Sequence, residues 1–399
     1  MSVVLTILSV VFYALGIFLL LNVLYLLLFA VAGHRKVALP AAPANAALRR
    51  MCVLMPAYRS DAVILETAPA AKRHAYRGQM QVHVIADGLQ DTTVQALRQQ
   101  GIGVVEVAFE KSTKGKALLA ALTAIPANTY DVAVVLDVDN VMDTGFLDAV
   151  NHAFAAGYRV VQGHRTAKNI DSPFAVLDAC NEEINNHIFR QGHASLGMSA
   201  ALIGSGMAFE YGYFKQMLQD IGDTPGEDKE MDFRIVKDQI KIAYLSNSYV
   251  FDEKIPNSQA FTTQRTRWIA AQLEFLQKYF WQGPAQLLRG NVEFFDKVLQ
   301  TLLVPRILLL GTLGILFLVS LLGLPFGPGP WFWAALLIGT GGALLLSLPA
   351  RLYNRQVAQA VLHLPQALVS MVLALLQIKK AKTSFLPTPH ATGIHTPQQ

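Results

Sequence analysis

The first 33 residues contain no Asp, Glu, Lys or Arg, and this run constrains the fold more than any other feature of the chain. From Val3 to Ala32 the run is almost wholly apolar, and about 20 such residues are enough for a helix to cross a bilayer. A cleaved signal peptide would begin with basic residues and have an apolar stretch of about 7–15 residues. Because no basic residue precedes the run and the run is longer, the sequence predicts an uncleaved membrane anchor.

Basic residues follow the anchor and predict its orientation. Arg35, Lys36, Arg49 and Arg50 should lie in the cytoplasm by the positive-inside rule, which puts the N-terminus outside. The chain has only two cysteines, too few for a disulfide framework, which agrees with a reducing compartment. The sequence therefore predicts a multi-pass protein of the cell (inner) membrane with its central domain in the cytoplasm.

Composition divides the chain into apolar ends and an ordinary middle. Charged residues make up 15% of the chain, against about 25% in soluble proteins. The deficit continues in two apolar stretches, 298–322 and 330–350. Much of the net charge of +5 flanks the apolar stretches, where lipid head groups explain it, and no aromatic and basic pattern indicates nucleic acid. Membrane lipids are thus expected partners and nucleic acid is not.

Four short apolar runs in the middle region read as strands. They are Met51–Pro56, Gln81–Asp87, Gly103–Ala108 and Asp131–Leu136, and a helix is expected over Lys116–Ile125. Strands that alternate with helices predict a mostly parallel α/β sheet. In such sheets ligands bind beyond the carboxyl ends of the strands, so that edge is expected to hold the chemistry.

Asp137 and Asp139 follow the fourth run directly. Alternation along an extended chain would point both carboxylates the same way, as a hard oxygen site for Mg²⁺ or Mn²⁺ that also binds substrate phosphates. A pair of solvated turn aspartates is the alternative, and Asp87 before a glycine could likewise mark a plain turn. A loop carrying Lys114 and Lys116 before a helix would suit a diphosphate, or be merely solvated.

Two later motifs could supply acid–base and binding groups. Glu227 and Asp228 stand at a predicted helix start, where acidic side chains favour the helix dipole. Neighbouring carboxylates also raise one pKa by repulsion, which suits a general base. Gln264, Arg267 and Trp268 would share one helical face, with a guanidinium for a diphosphate and a flat ring for a sugar, or serve only as a membrane-interface belt.

The apolar C-terminal part predicts several segments. Ile269–Trp281 is amphipathic and would lie on the membrane surface, unless it is a surface helix of the soluble domain. Segment 361–378 is apolar enough to span, but lysines follow it, so a span, a re-entrant helix and an interfacial helix stay open. The expected organisation is an anchor at 1–33, a linker at 34–49, a cytoplasmic catalytic domain at 50–268, interfacial helices at 269–297, membrane segments at 298–378 and a tail at 379–399.

In this order, Asp-Gly, Asp-x-Asp, Glu-Asp and Gln-x-x-Arg-Trp resemble the motifs of membrane-bound family 2 glycosyltransferases, a group with cellulose, chitin, hyaluronan and exopolysaccharide synthases. The resemblance covers residues 50–270 closely and the flanking segments by layout. It implies a Rossmann-like GT-A domain flanked by transmembrane helices, with Mg²⁺ or Mn²⁺ as cofactor. It also implies inverting hexosyl transfer from a nucleotide-diphosphate sugar, expected to be a UDP-sugar, to a glycan hydroxyl in processive polysaccharide synthesis.

Two other functions stay open. A relative of this kind could instead transfer a single sugar to a lipid-linked acceptor. A membrane transporter or an inactive regulatory homologue is the alternative from another class, although few ionisable residues lie within the apolar stretches, where transporters place them. Accessory subunits could assist either kind of transferase.

The resemblance also implies a role for each motif residue. The donor would bind Pro56, Ala57, Tyr58, Asp87, Lys116, Asp137, Gln264 and Arg267. The metal would bind Asp137 and Asp139. Asp228 would be the general base, with Glu227 beside it. The acceptor would lie against Gly204, Ser205, Gly206 and Trp268.

The sequence departs from the family pattern at several places. Ala86 stands where many relatives carry a first aspartate before the base-binding turn, and Gly226 stands where several polymer synthases carry threonine. The single N-terminal span contrasts with the several of cellulose synthases. These differences bear on the donor and on any named polymer. Glu253 and Pro256 fit a family spacing, and residues 388–390, Thr-Pro-His, resemble tails of the group.

Overall fold

The computed structural model describes residues 3–43, 45–222, 224 and 226–381, with side chains up to 378, so the tail motif at 388–390 lies outside the described residues. The chain begins with helix α1 (Val3–Ala32) and continues into one eight-stranded sheet. The strands are β1 (Met51–Tyr58), β2 (Met80–Asp87), β3 (Gly103–Val107), β4 (Val132–Val135), β5 (Val141–Met142), β6 (Val160–Ala167), β7 (Met207–Glu210) and β8 (Ile242–Asp252).

Helices cover both faces of the sheet and make three layers. They are α2 (Asp61–Lys72), α3 (Asp91–Gln99), α4 (Lys114–Ala124), α5 (Phe146–Ala155), α6 (Pro173–Asn185), α7 (His193–Ser195), α8 (Tyr211–Gln219) and α9 (Glu227–Lys237), with a π-helical segment, Asn186–Gly192, between α6 and α7. One core lies between the sheet and α2, α3 and α5, and includes Ile64 and Phe146. The other lies between the sheet and α4, α8 and α9, and includes Leu118 and Phe214.

The sheet is mixed, which corrects the prediction of a mostly parallel one. The strand order is β3-β2-β1-β4-β7-β6-β8-β5. The first four strands in that order are parallel, as are β6 and β8, but β7 is antiparallel to both of its neighbours and β5 is antiparallel to β8. β7 is reversed because the loop that enters it lies at the carboxyl end of β4, where Gly206 N–H donates to the Val135 carbonyl over 2.9 Å.

Several element boundaries differ from the sequence prediction. β1 continues through Ala57 to Tyr58, two residues beyond the predicted end at Pro56. α4 begins at Lys114 rather than Lys116, because the Thr113 side chain caps the helix by accepting the Lys116 N–H over 3.2 Å. The two lysines therefore lie in the first turn of a helix and not in a loop before it.

Asp137 and Asp139 do not continue the strand, so the predicted alternation does not apply to them. β4 ends at Val135, and the Asn140 N–H donates to the Asp137 carbonyl over 3.1 Å, so the two aspartates lie in a turn. Their environments differ as a result: Asp139 is 4% exposed, whereas the Asp137 side chain is 31% exposed. The turn still places both residues just beyond the carboxyl end of a buried central strand.

One continuous helix, α10 (Ser258–Tyr279), contains both the Gln-x-x-Arg-Trp motif and most of the predicted interfacial segment. The predicted domain boundary at 268/269 therefore falls inside a helix. α10 is followed by α11 (Gln282–Leu288) and α12 (Val292–Leu302). The α10 side chains Phe275 and Tyr279 pack against α9 and α12, while Trp281 in the turn after α10 is 81% exposed.

The remaining helices are apolar. They are α13 (Arg306–Ser320), α14 (Pro330–Leu346), α15 (Arg355–Val361) and α16 (Leu364–Ala381). Among the described residues, α1 alone is a single helix long and apolar enough to cross a bilayer. The pairs α12–α13 and α15–α16 reach that length only if each bent pair, with bends of 56° and 51°, counts as one span, and α14 has 17 residues.

α16 covers most of segment 361–378, for which the sequence left three alternatives open, and it lies along α10. Ala367 and Met371 of α16 pack with Phe261 and Ile269 of α10 in one buried apolar cluster. Its opposite side is apolar and open, with Leu376 77% exposed. The helix thus has one face packed on α10 and an opposite face that is apolar and exposed.

α1 is joined to the sheet domain by polar contacts at its C-terminal half. The Tyr25 hydroxyl donates to Asp296 Oδ1 of α12 over 2.8 Å, and His193 Nε2 lies 3.1 Å from Asp296 Oδ2. The Phe29 ring stacks on the His193 ring, with centroids 3.8 Å apart. The Asn22 side chain accepts the Val304 N–H over 2.8 Å at the break between α12 and α13. α1 is therefore packed into the fold rather than tethered loosely to it.

Candidate active site

The ends of β1 and β2 bring an aromatic ring, a cation and a carboxylate together. Tyr58 is the register partner of Asp87. The Ser112 hydroxyl donates to the Asp87 carboxylate, and Arg59 N–H donates to the Asp87 carbonyl over 3.0 Å. The Arg59 guanidinium lies 5.2 Å from the centre of the Tyr58 ring. These groups stand where the resemblance implies a nucleoside pocket.

Lys114, and not Lys116, reaches the aspartate turn. The Lys114 ammonium forms an ion pair with the Asp137 carboxylate and donates to the Gly204 carbonyl over 2.7 Å. The Lys116 ammonium donates instead to the Lys111 carbonyl over 3.2 Å, on the exposed side of α4. The basic group at the centre of the site is thus two residues earlier than the sequence assignment.

The loop 203–206 is fixed against the aspartate turn. The Asp137 N–H donates to Ser205 Oγ over 2.9 Å, and Ser205 Oγ donates to Asn140 Oδ1 over 3.3 Å. The buried Gln162 side chain lies behind the loop, accepting the Ile203 N–H and donating to the Ser205 carbonyl, both over 3.0 Å. Gln162 is a supporting residue that carries no motif signal in the sequence.

Gly204 lies between the lysine and the Glu-Asp motif. Its φ of +85° is the left-handed region that favours glycine. A Cβ at this position would lie 3.8 Å from both Asp228 Oδ2 and Lys114 Nζ. The loop residue predicted to contact the acceptor, the predicted base and the basic group are therefore neighbours in space.

Glu227 is the acid with a shifted pKa in this neighbourhood. It packs against α4, because a Cβ added to Gly115 of that helix would lie 3.7 Å from the Glu227 Cβ. The pKa of Glu227 is raised to about 7, chiefly by burial and also by the Asp228 and Asp137 carboxylates, while Lys114 lowers it. Glu227 can therefore exchange a proton near neutral pH.

Glu230, the third acid of the cluster, has a structural environment. Its carboxylate accepts hydrogen bonds from Tyr279 over 2.9 Å, Lys278 over 2.7 Å and Arg234 over 2.8 Å. Burial opposes its ionisation, but these three donors outweigh burial and lower its pKa. Glu230 thus joins α9 to α10, and the acidic cluster divides into one structural acid and the Glu227–Asp228 pair.

Close packing of α10 explains the departure at Gly226. A Cβ on Gly226 would lie 2.9 Å from the Phe275 ring and 3.3 Å from the Ala271 Cβ. A threonine at this position has no room while α10 lies so close. Arg267 precedes Ala271 by four residues of α10, so the two residues lie on the same side of this helix.

The Gln-x-x-Arg-Trp motif is supported from behind by Arg265. The Arg265 guanidinium lies 4.2 Å from the Trp268 ring centre and donates to Asp178 Oδ1 over 2.6 Å. Trp268 is 39% exposed, and Gln264 Oε1 is buried with no protein partner. Arg265 holds the indole, so Trp268 presents its other side outward.

Asp137 and Asp139 suit a divalent ion shared with a substrate. Within the described part of the chain, no three His, Cys, Asp or Glu side chains converge on a metal position. Mg²⁺ and Mn²⁺ prefer oxygen ligands and are commonly held by one or two carboxylates together with water and substrate phosphates. Two carboxylates with a lysine beside them therefore fit such an ion together with a diphosphate.

The fold and site define a class of enzyme. A Rossmann-like GT-A domain gathers a lysine, two aspartates and a helix-borne Glu-Asp pair at its carboxyl edge, as glycosyltransferases do. The model of the family named Glycosyltransferase like family 2 matches residues 49–271, and the chain belongs to this family. No curated protein matches the chain in sequence.

Solved structures share the fold at low identity. The mannosyltransferase PcManGT from Pyrobaculum calidifontis, in complex with GDP-Man and Mn²⁺, is 17% identical over 92% of this chain and 99% of that chain, with a TM-score of 0.56. Glucosyl-3-phosphoglycerate synthase from Mycobacterium tuberculosis, in complex with Mn²⁺, UDP-glucose and phosphoglyceric acid, is 18% identical over 59% of this chain and 88% of that chain, with a TM-score of 0.41. The likeness to PcManGT is one of fold, and it covers nearly the whole of this chain.

Proposed function

We propose that the chain is a membrane-anchored glycosyltransferase that moves a hexosyl group, with inversion, from a nucleotide-diphosphate sugar to an acceptor hydroxyl. The observation that carries the proposal is the cluster of Lys114, Asp137, Gly204 and Asp228 at the carboxyl edge of the sheet. In this cluster Lys114 would be the cation for a leaving diphosphate, and the neighbouring Asp228 would be the carboxylate for an incoming hydroxyl.

The donor diphosphate would lie over the aspartate turn. Lys114 and Arg267 would bind its oxygens, and Lys114 takes the place that the resemblance gave to Lys116. Asp137 and Asp139 would hold Mg²⁺ or Mn²⁺, which when bound neutralises charge on the leaving group. Because Asp137 already pairs with Lys114, the binding of a diphosphate would redistribute this ion pair.

Proton removal would fall to the start of α9. Asp228 would accept the proton of the acceptor hydroxyl as the oxygen attacks C1 from the side opposite the diphosphate. Glu227 has a pKa of about 7 and titrates together with Asp228, because a negative charge on Asp228 favours the protonated form of Glu227. Trp268 and the 204–206 loop would hold the acceptor sugar.

The donor base is expected to be uracil because Asp87 stands at the base-recognising position of the resemblance. GDP-mannose is the rival donor, since PcManGT was solved with it.

We further propose that the protein acts at the inner membrane with its GT-A domain in the cytoplasm, and that it makes a polysaccharide processively. Single transfer to a lipid-linked acceptor is the second candidate, favoured by the small number of apolar helices available for a channel.

One donor panel tests these proposals. Membranes containing the full chain are incubated with labelled UDP-glucose, UDP-N-acetylglucosamine and GDP-mannose, each with Mn²⁺, Mg²⁺ or a chelator, and products are separated by length. We expect one donor to be consumed only when metal is present, and a ladder of products if the enzyme is processive. Failure of the intact protein to turn over or bind any sugar nucleotide would count against a glycosyltransferase.

A further inference from the structure

The Asp87 carboxylate, at the carboxyl end of β2, is buried and is engaged by a serine hydroxyl. Asp87 is 7% exposed, and within the described residues Ser112 is the one side chain that hydrogen-bonds its carboxylate, through Oδ2. An ionised carboxylate has lone pairs on both oxygens, and a buried one is stabilised by further donors. The carboxylate can therefore accept a hydrogen bond from a ligand, and Oδ1 is the oxygen that Ser112 leaves open to it.

Both partners of this hydrogen bond are held in place by the backbone. Asp87 is paired with β1 on one side and with β3 on the other. Ser112 directly precedes Thr113, which caps α4 by accepting the Lys116 N–H over 3.2 Å. The sheet fixes the position of the carboxylate and the start of α4 fixes the position of the hydroxyl. The hydrogen bond is therefore built into the pocket at the end of β2.

A cation lies beside the same turn. The Arg59 side chain covers Gly88, since a Cβ added to Gly88 would lie 3.1 Å from the Arg59 Cγ and 3.5 Å from its Nε. Arg59 has a φ of +48°, a conformation that costs energy in a residue other than glycine and persists where the surrounding structure imposes it. This conformation puts guanidinium N–H donors next to the turn that carries Asp87.

The two candidate bases of the donor, uracil and guanine, present different edges to such a carboxylate. Uracil has a single N–H, at N3, between two carbonyl oxygens, whereas guanine has adjacent N–H donors at N1 and N2 beside one carbonyl oxygen. Two open carboxylate oxygens match the paired donors of guanine, as they match those of arginine. One open oxygen matches the single N–H of uracil, because a second open oxygen would face a uracil carbonyl and repel it. An engaged Oδ2 therefore favours uracil.

We propose that Ser112 is a specificity-determining residue, which selects uracil over guanine by engaging one oxygen of Asp87. The inference rests on the proposed glycosyltransferase function and concerns the base of its donor. Asp87 Oδ1 accepts the uracil N3–H, and the Ser112 hydroxyl reduces the negative charge that Oδ2 presents to the neighbouring uracil carbonyl. Arg59 donates to the other carbonyl. A site whose polar groups are satisfied by one base rejects a base that leaves them unpaired.

The test measures nucleotide binding and needs no turnover. Full-length protein in detergent is titrated calorimetrically with UDP, GDP and inorganic pyrophosphate, each with Mn²⁺. We expect wild type to bind UDP at least about tenfold more tightly than GDP. Ser112→Ala should reduce this preference by about tenfold, with weaker UDP and tighter GDP binding, because both Asp87 oxygens are then open. Pyrophosphate, which has no base, should bind wild type and variant equally.

Three comparisons separate base recognition from structural damage. Ser112→Thr keeps the hydroxyl and should keep the preference for UDP. Ser60→Ala removes a nearby hydroxyl that donates to the Tyr58 carbonyl over 2.8 Å rather than to Asp87, and should leave the preference within about twofold. In an Asp87→Asn background, Ser112→Ala should not change the preference further, because Ser112 acts through Asp87.

Several outcomes would overturn the proposal. An unchanged UDP preference in Ser112→Ala would remove Ser112 from base selection, and equal weakening of UDP, GDP and pyrophosphate would make its role structural. If Ser112→Ala does not fold, Ser112→Cys, with a weaker donor, replaces it, and no loss of preference would contradict the proposal. Tighter binding of GDP than of UDP by wild type would refute uracil selection and leave the transfer reaction standing. Failure of wild type to bind either nucleotide or any sugar nucleotide would instead refute the proposed function.

Discussion

Lys297 of α12 donates a hydrogen bond to Asp232 Oδ2 of α9 over 2.9 Å, and both side chains are buried. Asp232 lies one helical turn beyond Asp228, and its other oxygen accepts the Leu202 N–H over 3.2 Å. The pair thus connects α9, which carries the proposed base, with the loop that leads to Gly204 and with α12. Lys297 directly follows Asp296 in α12. Through the hydrogen bond between Asp296 and Tyr25, the same helix α12 also contacts α1.

Removing the Lys297 ammonium should destabilise the protein and lower its catalytic rate. Lys297→Met leaves a buried carboxylate without its cation, a change that costs about 3–5 kcal/mol in other proteins. We expect a clear drop in the thermal unfolding temperature, and a lower kcat with nearly unchanged donor affinity because the base is displaced. Lys237→Met, on the exposed end of α9, is the control. Equal behaviour of the two variants would contradict a positioning role for the pair.

Lys114 and Lys116 form a matched pair for testing the donor site. Lys114→Ala should weaken sugar-nucleotide binding by about tenfold or more, because it removes a charged donor from the diphosphate position. Lys116→Ala should change affinity little, since its ammonium lies on the exposed side of α4. Isothermal titration with Mn²⁺ and the active donor measures both. A larger loss in Lys116→Ala would restore the original sequence assignment.

Asp228→Asn tests the proposed base. The substitution keeps the shape of the side chain and removes its basicity, so transfer should fall by about 10²–10⁴-fold. Donor affinity should stay within about twofold, because the side chain faces the acceptor loop at Gly204. Transfer and donor binding are measured on the same preparation. Full transfer by a variant that still binds donor would show that another group accepts the proton.

Glu227 gives a pH-dependent prediction. Its pKa of about 7 in the folded protein exceeds the usual value of about 4.3, so the folded state binds this proton more tightly. The resulting stabilisation is full below the unfolded pKa and is lost as the pH rises through about 7. Glu227→Gln should therefore flatten the fall in unfolding free energy between these two pH values.

The control for that experiment is Glu66→Gln, which alters an exposed acid on α2 and should leave the pH profile unchanged. Urea unfolding in detergent at several pH values measures the effect. Identical profiles for wild type and Glu227→Gln would mean that the Glu227 carboxyl titrates in the ordinary range.

Gly226→Ala tests the contact that replaces the family threonine. The new methyl group would lie 2.9 Å from the Phe275 ring, and such overpacking costs about 1–3 kcal/mol. Gly212→Ala, at a helical glycine in α8 with no atom within 4 Å of the added carbon, should be neutral or slightly stabilising. Thermal unfolding of both variants measures the difference. A neutral Gly226→Ala would show that α10 can move away from α9.

The sequence predicted the first half of the fold well. The strands at 51–58, 80–87, 103–107 and 132–135 were foreseen within two residues, because continuous apolar runs between polar turns are typical of buried parallel strands. β7 was not foreseen. Its direction depends on the position of the loop 203–206, which is fixed by contacts with Gln162 and Asp137 far away in the chain.

The sequence predicted the motif residues of the candidate site but not the buried residues that hold them in place. Asp137, Gly204 and Asp228 do lie together, as the order of motifs implied. The resemblance assigns Lys116 to the phosphates, whereas in the structure Lys114 contacts Asp137, at the start of a helix that is capped by Thr113. Gln162, Arg265 and Lys297 carry no sequence signal, since a buried polar residue gains its meaning from its partner.

The sequence by itself determined that the chain has an apolar N-terminal segment long enough to span a membrane, an α/β domain and the motifs of a family 2 glycosyltransferase. These follow from local composition and from residue order, which need no knowledge of distant contacts. Only the tertiary structure decided which lysine contacts Asp137, why residue 226 is glycine and how α12 links α1 to α9. Each of these depends on a distance between residues far apart in the chain, and such distances are set by packing.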